Sequence, residues 1–283
     1  MKQRLLPAVL TAALVVPATG RATADAEIQR TVYFSALDAK GVHVTDLAAG
    51  DLAVKEGGKD VVIRGVEPAT APLQVSLLID DGGSGAFQPA VTEFVRALYG
   101  RALFAIRVMN PQPSTLTDFT TDSVELKRAL NGLGPRGRVY SAGEQIIDAV
   151  GEAARELRQR GAPRPAIVVI SVLGEQVQSD QADAALDALR NSGASLSVLN
   201  FTGVRLGQVL GDGPKRSGGM IQQVGPGVVP IPMLVRIADN LLHQYALTYA
   251  LPYGVKASDK LSLTTSRKGV TLLTPTRIPD KAQ

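Results

Sequence analysis

Two adjacent carboxylates, a serine and three glycines stand together in Asp80-Asp81-Gly82-Gly83-Ser84-Gly85, directly after the largely apolar run Leu73–Ile79. Carboxylate and hydroxyl oxygens on one loop are what a hard divalent cation takes as ligands, and Mg2+ needs them in near-octahedral array. A serine between a strand and a helix is also where a nucleophile elbow exposes its Oγ, with Ala86 here where glycine is usual. The glycines lack the GxGxxG or GxxxxGK[ST] spacing that cradles phosphate. Asp80 and Asp81 point to opposite sides of a strand end, so they do not form a glycosidase pair by themselves.

Hydrolysis at Ser84 would need a base. The chain has two histidines, His43 and His243, so the order Ser…Asp…His is available. Three features oppose it. Ser84 follows the first strand of the α/β stretch, His243 ends an apolar helical segment, and no His-Gly-Gly-type oxyanion loop precedes the strand. His43 reads as a strand-surface residue, and two histidines so far apart argue against a shared metal site. Cysteine is absent, which excludes disulfides, thiolate catalysis and zinc–thiolate centres.

The elements that must position this loop follow from periodicity. Leu73–Asp80, Leu103–Met109, Ala166–Val172 and Ala194–Phe201 are continuous apolar strands, with a shorter one at Leu116–Phe119. Helical spacing connects them over Phe87–Leu98, Val124–Leu130 (Asp122 as N-cap), Ala142–Arg160 and Gln181–Leu189. Alternation of this kind predicts an α/β fold, a Rossmann-like and mostly parallel sheet covered by helices. Val204–Pro230 is rich in Gly and Pro and reads as a loop, and Ile231–Leu242 as a closing helix. On either side lie β-rich flanks. In the first, Leu52–Glu56 and Val61–Ile63 surround Gly57-Gly58, a hairpin signal. In the second, Tyr245, Leu247, Tyr249 and Leu251 alternate on one strand face. Neither flank alone has enough strands for a stable sheet, so the two are expected to pack together as a small β layer.

The N-terminus has the form of a secretory signal peptide: Lys2 and Arg4, an apolar Leu5–Val16, then Ala22-Thr23-Ala24. The expected division is therefore 1–24 signal peptide, 25–71 N-terminal β flank, 72–242 α/β body and 243–283 C-terminal β flank. Loss of Lys2, Arg4 and Arg21 with no acid takes the formal charge from +4 to +1. No Lys/Arg cluster with interleaved aromatics remains, which gives nucleic acid no electrostatic footprint. No other segment is long and apolar enough to cross a membrane.

Four pieces in order resemble the von Willebrand factor type A-related proteins of secreted bacterial families, especially those described from Acidobacteria. They are Ala36–Gly41 with Leu52–Gly58, then Leu77–Ser84, then Ser217-Gly218-Gly219, then Gln244–Tyr249. The resemblance implies a metal-ion-dependent adhesion site at the C-terminal edge of the sheet. Such a site uses Asp-x-Ser-x-Ser, a threonine from a second loop and an aspartate after a later strand, with a partner carboxylate completing the shell. Asp80 matches the first aspartate and Ser84 the second serine, but Gly82 replaces the first serine. Ser141 is the nearest hydroxyl for the second loop. In Val169–Glu175 the aspartate position falls on Leu173, which cannot coordinate. Asp81 and Glu175 lie beside the site without occupying family ligand positions.

The expected function is therefore that of a secreted, periplasmic or extracellular, non-enzymatic protein-interaction module with a degenerate and metal-free adhesion site. Its contact surface would be built from Asp81, Gly82, Gly83, Thr120, Leu173 and Glu175. A Mg2+- or Mn2+-dependent adhesion module using Asp80 and Ser84 is the alternative, and a serine hydrolase at Ser84 the third reading.

Overall fold

The computed structural model describes residues 27–137, 143–172, 174–175, 179–225, 227–252 and 254–279. The signal-peptide segment, Ser141 and Leu173 lie outside them.

The chain opens with β1 (Ile28–Leu37), β2 (Leu52–Glu56), β3 (Lys59–Asp60) and β4 (Val62–Pro68). The α/β body follows: β5 (Leu73–Asp80), α1 (Gln88–Leu98), β6 (Ala102–Val108), β7 (Ser114–Thr120), α2 (Ser123–Asn131), α3 (Gly143–Gln159), β8 (Arg164–Ser171), α4 (Ser179–Ser192) and β9 (Ser195–Phe201). After it come α5 (Gly213–Ser217), β10 (Ile221–Val224) and α6 (Ile231–Leu242), then β11 (Tyr245–Leu251), β12 (Leu261–Thr265) and β13 (Thr271–Leu273).

The central sheet runs β10-β9-β8-β5-β6-β7. Only β7 is antiparallel to its neighbour. Counted from β5, this is the doubly wound order 3-2-1-4-5-6. Every residue of β8 is buried, as is all of β5 except Gln74. A parallel strand covered on both faces carries a near-continuous apolar run, here Leu77–Ile79 and Ala166–Ile170. One face carries α1, α2 and α6 over Leu77, Ile79, Phe104 and Val168. The other carries α3 and α4 over Leu78, Ile167 and Val169. Asp122 caps α2 as expected, its Oδ1 accepting from the backbone of Val124 at 2.7 Å and Glu125 at 3.0 Å.

The stretch Val204–Pro230 is not a plain loop. It contains a π-helical turn at Gln208–Asp212, the short α5 and the sheet's edge strand β10. Gly218 ends α5 with φ +78°, and a Cβ on Gly219 would stand 1.9 Å from the carbonyl oxygen of Leu196. That double glycine therefore lets the chain turn hard against β9 and enter the sheet.

The flanks do pack together. β1 pairs antiparallel with β11 and β13, and β11 also pairs with β4. A second sheet runs β12-β2-β3. The Gly57-Gly58 hairpin forms, but β2 returns as Lys59–Asp60 while Val62–Pro68 crosses into the first sheet. Phe34, Val54, Leu247 and Tyr249 fill the space between the sheets. Tyr245 and Tyr249 are core residues. The Tyr245 hydroxyl donates to the Val44 carbonyl at 2.9 Å, and that of Tyr249 to the buried Glu56 carboxylate at 2.6 Å.

Candidate functional site

In a sheet of this order ligands settle outside the carboxyl ends of the strands where the winding reverses, here between β5 and β8. Asp80 ends β5 and Ser171 ends β8, and the two are direct register partners. The sequence motif thus lands on the position that topology favours.

Asp80 is fully buried. Its Oδ2 accepts a 3.3 Å bond from Ser171 Oγ, while Oδ1 is buried with no partner. Burial pushes its pKa up to about 6; the Ser171 hydroxyl and the Gly82 amide oppose this, and the neighbouring Asp81 charge adds to it.

Asp81, rather than Asp80, organises the glycine turn. Its two oxygens accept from the backbone N–H of Gly83 at 3.0 Å and Gly85 at 2.8 Å. The Arg136 guanidinium donates to Asp81 Oδ1 at 2.6 Å. Arg136 also holds the carbonyls of Asn110 at 3.3 Å and Gly134 at 2.9 Å, and its own N–H donates to the Gly83 carbonyl at 2.9 Å. Gly85, at φ +72°, lets the two loops meet: a Cβ there would stand 2.6 Å from the Gly134 carbonyl carbon. Asn110 Oδ1 accepts from the Gly82 amide at 3.1 Å. Arg136 and Asn110 were not singled out from sequence; both reach the site from loops remote along the chain.

Ser84 does not cap α1, which begins after Phe87 without a side-chain cap. Its Oγ donates to the Asp81 carbonyl at 2.8 Å and accepts from the Ala86 amide at 3.3 Å, closing a local turn. The Glu175 carboxylate accepts from Val209 N–H at 3.0 Å and Leu210 N–H at 2.8 Å, and so holds the π-helical turn.

Thr120 does not join this cluster. Because β7 runs antiparallel, its end pairs with Phe104 near the start of β6. Thr120 therefore lies toward the opposite edge of the sheet, where its Oγ1 accepts from the Asp122 amide at 3.0 Å. Neither histidine approaches Ser84. Gln244, next to His243, accepts from the Ala69 amide at 2.8 Å, and the Ala69 carbonyl accepts from Arg164 at the start of β8. His243 thus sits at the strands' N-terminal edge, an eight-residue strand away from Asp80, roughly 25 Å. His43 stacks on His243 with ring centroids 4.7 Å apart.

A cavity of about 1070 Å³ opens near that same edge and is rich in arginine. Several of those arginines are already engaged: Arg164 with the Ala69 carbonyl, Arg190 with Asp187 and Asp259, and Arg277 with Asp259.

No protein-family model matches the chain, and no curated protein does. Among solved structures, the chain is similar to a von Willebrand factor type A protein from Catenulispora acidiphila at 10% identity. That match covers 88% of this chain and 73% of the other, with a TM-score of 0.48. It is similar to BatB from Bacteroides thetaiotaomicron at 16% identity, covering 60% and 97%, TM-score 0.44. It is similar to a manganese-loaded TRAP protein from Plasmodium vivax at 12% identity, covering 77% and 98%, TM-score 0.43. These likenesses are distant. Among the described residues no helix is long and apolar enough to cross a membrane. With its own strand order, its two helix layers and the Asp80 loop at the switch point, the chain has a doubly wound, Rossmann-like α/β architecture.

Proposed function

We propose that this protein is a secreted, non-enzymatic protein-interaction module that uses the loops at the C-terminal edge of β5, β8 and β9 without a metal ion. The observation that carries the reading is Arg136. Its guanidinium supplies, from within the chain, a fixed positive charge on Asp81, next to Asp80 in the same loop, so the loop is tied down without a cation. The remaining donors fit Mg2+ or Mn2+ poorly. Gly82 has no side-chain oxygen, Ser84 is bonded to its own turn, and the carboxylates of Asp81 and Glu175 are bonded to backbone amides. Near-octahedral coordination needs more than one free oxygen. A non-enzymatic role is supported by the same geometry: Ser84 Oγ has no histidine to take its proton.

One observation favours the metal-dependent alternative, the unpaired and buried Oδ1 of Asp80. Calorimetric titration of chelator-stripped protein with Mg2+ and Mn2+ decides between them. No saturable binding is expected at Asp80; binding tighter than about 1 mM that Asp80→Asn abolishes would establish the metal-dependent module. For the contact surface, photo-crosslinking residues at Ala86 and Thr202 should capture a protein partner in the native secreting cells. The same probe at Asp183 on α4 should not, and equal capture from all three would overturn the assignment. Fluorophosphonate labelling lost in Ser84→Ala would overturn the non-enzymatic reading.

A further inference from the structure

The two histidines, distant in sequence, meet in the fold, against the expectation from sequence. One ligand atom each from His43, Asp239 and His243 lie within 4.8 Å of one another. We propose that these three side chains form a transition-metal site of the zinc type, which ties the segment after β1 to the end of α6.

The ligand chemistry selects the metal class. Two imidazoles and one carboxylate suit Zn2+ and its neighbours in the first transition row, whereas Mg2+ and Ca2+ take all-oxygen shells. Ligand atoms on a tetrahedral zinc stand about 3.3 Å apart when the bonds are about 2.05 Å. The observed spread is within reach of small side-chain rotations on an exposed surface, where Asp239 and His243 lie.

Two further observations point to a ligand. The first is His43 Nδ1, which is buried and has no hydrogen-bond partner. A buried polar nitrogen left unpaired is costly, and a bound metal removes that cost. The second is the tautomer of His243. Its Nδ1 lies 2.8 Å from the Asp239 carbonyl oxygen, which can only accept, so Nδ1 carries the hydrogen and Nε2 is left with the lone pair. Metal-bound histidines commonly donate their other ring N–H to a carbonyl in this way.

The backbone fixes both halves. Asp239 and His243 are four residues apart on one helix face, and the His243 N–H closes the helix on the Asp239 carbonyl at 3.1 Å. His43 is held by a bridge to Leu37 and by a turn in which Asp38 Oδ1 accepts from Lys40 and Val42 amides. Three protein ligands leave a fourth position open to solvent. The site lies at the opposite edge of the sheet from Asp80 and does not depend on how that loop works.

The test uses untagged, full-length secreted protein and Zn2+ alone. Because the chain contains only two histidines, NMR can follow both rings in the unmodified protein. Both sets of imidazole signals should shift together and saturate at one equivalent of Zn2+. By calorimetry, His43→Ala and His243→Ala should each weaken binding by at least about tenfold, and Asp239→Asn should weaken it too. Movement of only one ring, no saturation at one equivalent, or full affinity in the doubly substituted protein would overturn the proposal.

Discussion

Asp80 offers a direct energetic test of the site. It is fully buried and carries an unpaired oxygen, and burial raises its pKa from 3.8 to about 6. Between about pH 4 and pH 6 the folded protein therefore keeps a proton that the unfolded chain has released. For a carboxylate shifted in this direction, its full contribution to stability is present below the unfolded value and is lost as pH rises through the folded one. Two pKa units at about 1.4 kcal/mol each put the loss near 3 kcal/mol at neutral pH. Asp80→Asn preserves the shape and the acceptor for Ser171, and cannot ionise. Its amide N–H adds a buried donor worth a constant penalty of about 1 kcal/mol. The readout is consequently the slope: the variant should gain about 3 kcal/mol on wild type between about pH 4 and pH 7, then level off. Urea unfolding across that range, with unchanged m-values, measures it. A difference that is flat with pH would show that Asp80 ionises in the folded protein as freely as in the unfolded chain. A carboxylate kept at a cost to folding is one sign of a binding role, since stabilising changes at functional sites tend to exact a price in function.

Arg136→Met should destabilise the protein by about 2 kcal/mol in the same assay. Breaking a buried pair costs about 3–5 kcal/mol, but here the Asp81 carboxylate keeps its two backbone amides. A loss below about 0.5 kcal/mol would place Arg136 in solvent. Gly219→Ala drives a Cβ into the Leu196 carbonyl at 1.9 Å and should cost about 3 kcal/mol, read as a lowered thermal midpoint; an unchanged midpoint would mean that β10 can move off β9 freely.

What was legible in the sequence was whatever repeats locally. Strands buried on both faces carry near-continuous apolar runs, and β5 and β8 declare themselves by Leu77–Ile79 and Ala166–Ile170. The helix face of α1 shows in Val91, Phe94, Val95 and Leu98. β10 hid because Ile221-Gln222-Gln223-Val224 is a four-residue edge strand with little apolar signal, set among Gly and Pro. The error over Thr120 has a different cause. A short strand reads the same in either direction, and reversing β7 moves the loop after it to the other edge of the sheet.

The site partners were invisible for a stronger reason. Arg136 reaches Asp81, and Asn110 reaches Gly82, only after α1, β6 and α2 have packed. His43 reaches His243 only because β1 and β11 pair, with Phe34 opposite Tyr245. Spacing along a chain carries no information about contacts that a tertiary register creates. One fragment of the second site was nevertheless readable: Asp239 and His243 stand four apart at the end of an apolar helix, a two-ligand arrangement waiting for a third. The flanks were expected to join on grounds of strand number, but strand number sets no register. The pairing of Phe34 with Tyr245 is what brings the segment after β1 against the end of α6, so the Zn2+ titration tests that register as much as three side chains.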